Sequence, residues 1–111
     1  MAIQVRTADP QGLLDAIFEA IDEGHIETWT YDEDGDFIHD TPDQQWVGEA
    51  WLHPVPGVAM LTLNSVPSAE GLSDEAYAVY HGRFIEMLLA HFDKQFSDAS
   101  VTALLTPEEQ L

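Results

Sequence analysis

The chain has no cysteine, only three Lys and Arg, and no long apolar run. Without cysteine there are no disulfides, no thiolate chemistry and no cysteine-based zinc sites. That fits a reducing compartment. No apolar stretch approaches the roughly 20 residues that a membrane span needs. Met1 to Arg6 lacks a basic patch followed by an apolar core, so no signal peptide is expected. The expectation is a soluble, cytoplasmic protein.

Motifs of chemistry are also missing. No serine stands in a Gly-x-Ser-x-Gly setting, and no glycine-rich loop is built to cradle a phosphate. The histidines, His25, His39, His53, His81 and His91, show neither His-x-His nor His-x-x-x-His spacing. No catalytic residue, metal site or cofactor is therefore expected. The sequence by itself does not state a function.

The scarcity of cations sets the dominant property. Twenty-one Asp and Glu give a formal net charge of −18. A field of that sign repels nucleic acid and anionic membranes, so neither is expected as a partner. It attracts a basic protein and speeds the encounter. The plainer reading is that acidity only keeps the protein dispersed.

What is present suits one folded unit. The 111 residues, 45% of them hydrophobic, match a single domain spanning 1–111. A chain of this size buries roughly two-thirds of its unfolded surface, enough for a core without metal or disulfide.

Along the chain, Met1 to Ala8 reads as a short strand or a ragged arm. Asp9-Pro10 reads as a helix start, with Asp as N-cap and Pro at the first helical position. Leu13, Leu14, Ile17, Phe18 and Ile21 follow at helical spacing, and Gly24 suits the residue after the helix. His25 to Tyr31 reads as a strand. A three-residue loop, Glu33-Asp34-Gly35, pairs Tyr31 with Phe37 and Trp29 with His39, which keeps the aromatics on one face. Trp46 to His53 is the next expected strand, Pro54 to Gly57 the next hairpin, and Val58 to Asn64 its return. Ser65 to Gly71 reads as the crossover to a long helix.

That helix centres on Tyr77 to Asp93. Tyr77, His81, Phe84, Leu88 and Phe92 fall on one line, flanked by Tyr80, Ile85 and Leu89. Asp98 to Ser100 breaks the pattern, and Val101 to Leu105 reads as an edge strand. The expected fold is α+β: an N-terminal helix, a four-stranded antiparallel meander, a long second helix packed across the sheet, and a short C-terminal strand or turn.

Four constellations are candidates for sites. Asp32 to Asp43 carries carboxylates at alternating positions, as a cation-binding loop does, but its glycine is at the fourth position and no Glu closes it. A hairpin turn is the preferred reading. His25, His39 and His53, near Asp40, Asp43 and Glu49, are read as scattered surface histidines rather than a metal or acid–base set. His81-Gly82-Arg83 is the local oddity, because a mid-helix glycine costs about 1 kcal/mol relative to alanine. Close packing of another backbone is the expected reason. A cleft lined by Tyr77, Tyr80, His81 and Trp29 is the alternative; Arg83 points to another face, where Glu86 and Glu75 are its expected partners. Finally, Trp29 and Trp51 are expected to share an exposed sheet face, which points to a partner or a homodimer.

The function expected on this basis is non-enzymatic: an acidic protein-interaction domain, of the inhibitor, immunity-protein or small-chaperone type, for a basic protein. The alternative is a small-ligand-binding protein or minor enzyme with a helix–sheet cleft around His81.

Overall fold

A computed structural model describes residues 2–39, 51–66 and 74–103, with the backbone alone at 51 and 74–77. The fold is α+β, with two helices over one antiparallel sheet of six strands. The elements are β1 (Ala2–Arg6), α1 (Pro10–Asp22), β2 (Trp29–Tyr31), β3 (Phe37–His39), β4 (Trp51–Pro56), β5 (Met60–Val66), α2 (Asp74–His91) and β6 (Asp98–Thr102). Spatial order across the sheet is β2-β3-β4-β5-β1-β6.

The expected count of four strands is therefore two short. The segment expected as a strand or ragged arm is β1, an interior strand between β5 and β6. Ile3 pairs with Leu63 and Val5 with Leu61, so four buried aliphatics meet at the centre of the sheet. β6 begins at Asp98, inside the stretch expected to break the pattern, and pairs with β1 from Arg6–Asp98 to Ala2–Thr102. Two helical crossovers frame the meander β2 to β5. The one from β1 to β2 and the one from β5 to β6 move in opposite directions along the sheet, from strands of opposite direction. Both reversals together give the two connections the same hand, which lets both helices lie on one face.

Local signals explain α1. Asp9 accepts the Gly12 N–H at 3.0 Å, and Pro10 stands where no N–H is needed. At the other end Gly24 adopts φ +78°, with Gly24 N–H donating to Ile21 O and His25 N–H to Ala20 O. That paired bonding satisfies the last carbonyls of the helix. The β2–β3 hairpin has the expected register: Tyr31 opposes Phe37 and Trp29 opposes His39, with Gly35 at φ +79°.

The second hairpin differs from expectation. β4 runs through Pro54 to Pro56 instead of turning there, and the turn falls at 57–59. Gly57 N–H donates to Met60 O of β5 at 2.8 Å. By alternation the nitrogens of Pro54 and Pro56 point to the opposite edge, toward β3. Among the described residues β3 pairs with β4 only at Phe37–Leu52, so neither proline removes a ladder bond there. Trp46, Leu104 and Leu105, expected in strands, lie outside the described residues, as do 67–73.

The core lies between the sheet and both helices. Leu13, Leu14 and Ile17 of α1 meet Phe84, Leu88 and Phe92 of α2 over Ile3, Val5, Leu61, Leu63, Leu52, Phe37 and Trp29. Leu89, expected to flank the buried line, is 58% exposed instead.

Candidate functional site

The α2 residues singled out from sequence divide between two sides of the helix. Tyr80 is fully buried toward β2 and β3, its ring 5.9 Å from both Trp29 and His39. Phe84 lies beside it, 5.1 Å from Trp29 and 5.2 Å from Phe37. His81 is also buried but lines a separate groove toward β6, with Ala78, Gly82, Ile85 and Val101. The structure thus joins Trp29 with Tyr80 as packed core and places His81 elsewhere. They do not line one cleft.

Two further expectations are corrected here. Trp29 is 1% exposed, so it forms no exposed aromatic face with Trp51. Its parity on β2 matches Phe37 on β3, and that row faces the helices. The side chains of Trp51 and Tyr77 lie outside the described residues. Among the described residues, Gly82 has nothing within 4 Å of the place a Cβ would occupy. No backbone among the described residues approaches it closely; the glycine opens onto the α2–β6 groove.

Arg83 leads to a different opening. A cleft of about 620 Å³ lies between the second half of α2 and the segment joining α1 to β2. His25, Trp29, His39, Arg83, Glu86 and His91 line it. Arg83 is half exposed and pairs with Glu86 at 3.2 Å. His39 is not a surface histidine: it is buried against Trp29, with ring centres 4.9 Å apart. His53 lies away from this cleft, in contact with Asp36. The histidines expected to be scattered are thus partly gathered, two of them with His91. Sequence carried no signal for that, because a helix and a loop far apart in the chain supply the groups.

The third feature is an acidic end. Residues 15–36 hold nine Asp and Glu, and no Lys or Arg occurs between Arg6 and Arg83. Asp15, Glu19, Asp22 and Glu23 are exposed on α1, and Glu33 and Asp34 are exposed in the hairpin turn. The two elements are tied together. Tyr31 donates its O–H to Asp22 at 2.6 Å, and the Phe18 ring lies tilted against Tyr31 at 4.6 Å and stacks on Phe37 at 5.1 Å. The bond to Asp22 raises the pKa of Tyr31 above that of an ordinary phenol, because the carboxylate holds the proton. Carboxylates of helix and turn so form one surface. Histidines touch it: His25 Nε2 lies 3.4 Å from Glu23, and His53 is in contact with Asp36. The run of acids without a cation was the signal for this surface, and it was readable from sequence.

Asp32, Asp34 and Asp36 have carboxylate oxygens within 4.8 Å of one another. Asp32 Oδ1 accepts the backbone N–H groups of Asp34 and Asp36, both at 3.0 Å. Those bonds close the hairpin turn, and three carboxylates are few beside the six to eight oxygens a calcium ion takes. Comparison with family models, curated proteins and solved structures gives no match to this chain.

Proposed function

We propose that this protein is a non-enzymatic interaction domain that binds a basic protein through its acidic end. The observation that carries the reading is the joining of α1 and the β2–β3 turn into one carboxylate surface that holds no Lys or Arg of its own. Such a surface gains Coulomb energy from an incoming cationic partner and loses little internal pairing in doing so. Inhibitors, immunity proteins and small chaperones for basic proteins share that requirement. The domain is read as cytoplasmic and as avoiding nucleic acid, since phosphate would meet the same repulsion.

The test is capture of basic proteins by the intact chain at low and at moderate salt. Retention that falls steeply with salt supports the reading. Retention indifferent to salt, or none, counts against it.

A second reading is a small-ligand site, favoured by the 620 Å³ cleft that gathers Arg83 with His25, His39 and His91. It replaces the cleft first sought around His81. Saturable chemical-shift changes confined to Arg83, His91 and Trp29 on adding small carboxylates or phosphates would support it. Shifts spread along the whole surface, or none, would remove it.

A further inference from the structure

We propose that a second copy of this chain docks on the outer edge of β6 and the flank of α2 beside it. Among the described residues β6 is the last strand of the sheet, paired only with β1. Natural edge strands are guarded by lysine, proline, bulges or a cover. Asp98-Ala-Ser-Val-Thr102 holds none of the first two and one charge, at its end. Val101 is 53% exposed there. Beside it runs the groove of about 410 Å³ bounded by Ala78, His81, Gly82, Ile85, Val101 and Thr102. Leu89, 58% exposed, extends the apolar strip along α2.

Charge decides the occupant. None of the described residues lining this groove is a carboxylate, on a chain that carries 21. A basic partner gains most where carboxylates are dense, at the α1 end. A copy of the same chain, also at −18, is repelled there and can approach closely only where carboxylates are missing. Among the described residues the groove between α2 and β6 is such a place, and the β6 edge carries a single carboxylate, Asp98 at its end.

A twofold pairing also satisfies the strand. With Ser100 opposite Ser100 of the partner subunit, Ala99 faces Val101 of the partner subunit on the helix side. Asp98 then faces Thr102 of the partner subunit instead of a second Asp98. The pairing adds backbone bonds, buries Val101 and avoids a like-charge contact. It brings the two α2 flanks together over the joined sheet, where the open space at Gly82 admits close approach.

Salt sets this contact apart from binding at the acidic end. Screening weakens an acid–base complex but strengthens self-association of a −18 chain. The experiment is the solution mass of the full chain by light scattering, over about 1–200 μM and at low and moderate salt, the range where interfaces of modest size dissociate. The expected result is a dimer whose fraction rises with salt. Val101→Lys should raise the dissociation constant at least about tenfold, although it lowers the net repulsion. Glu33→Gln makes the same charge change in the hairpin turn and should tighten the dimer. Circular dichroism of both variants checks that the fold is kept. A chain that stays monomeric throughout overturns the proposal and leaves residues 104–111 or a different protein as the cover of this face. A dimer untouched by Val101→Lys overturns it equally.

Discussion

Gly12 and Gly82 stand inside the two helices, and alanine should act on them in opposite ways. A Cβ on Gly12 would lie 2.2 Å from Oδ2 of Asp9, so the capping side chain must leave its place. Losing that cap costs about 1 kcal/mol, which offsets the roughly 1 kcal/mol that alanine gains in a helix. Gly12→Ala should therefore give no stabilisation. Gly82 meets none of the described residues, so Gly82→Ala should raise stability by up to about 1 kcal/mol. Urea unfolding of both variants checks the pair; equal gains at the two sites would contradict the Asp9 geometry. Tyr31 makes a pH-dependent contribution. Its pKa is raised in the folded state by the hydrogen bond to Asp22. The bond is therefore intact below the ordinary phenol range and is lost as pH rises through the raised value. Stability should fall more steeply above about pH 10 in the native chain than in Tyr31→Phe, as thermal melts across that range would reveal. Identical alkaline slopes would contradict the assignment.

Among the elements, those with local signals were the ones legible in sequence. Asp9-Pro10 and Gly24 marked both ends of α1, and Gly35 with the alternation of Trp29, Tyr31, Phe37 and His39 fixed a hairpin register. Signals of that kind act over a few residues, so a short window contains them. For β1 and β6 local pattern supports only a short strand or ragged arm and an edge strand from Val101, without a register, because their partners are Leu61, Leu63 and each other, nearly 60 to 100 residues away. Pro54 and Pro56 misled for the opposite reason. Their usual turn meaning gave way to an edge free of ladder bonds, which only the length of β3 decides. At the site, the acidic run was visible, whereas the cleft of His25, His39, His91 and Arg83 needed the packing of α2 against the sheet. That packing rests on Phe84, whose ring touches both Trp29 and Phe37. Phe84→Ala should cost about 3–5 kcal/mol. A loss below about 1 kcal/mol in denaturant unfolding would mean that α2 is held chiefly by other contacts.

Over the whole molecule, charge links stability to association. Like charges repel in the compact state, so moderate salt should raise the unfolding midpoint at neutral pH. A midpoint flat from low to moderate salt would contradict that. The acidic end is dense in carboxylates, whereas among the described residues the β6 edge carries one, Asp98. The first suits a cationic partner and the second a copy of the chain.

The proposed binding depends on the placement of charge, as distinct from its amount. It is tested by comparing two triple variants of equal net charge in capture of basic proteins at low salt. One neutralises Asp15, Glu19 and Glu33 at the acidic end, as Asp15→Asn, Glu19→Gln and Glu33→Gln. The other neutralises Glu86, Asp93 and Asp98, exposed elsewhere, as Glu86→Gln, Asp93→Asn and Asp98→Asn. The acidic-end variant should lose the basic partner while the other keeps it. Equal loss in both would show that net charge alone governs binding, and would contradict a site at the α1 end.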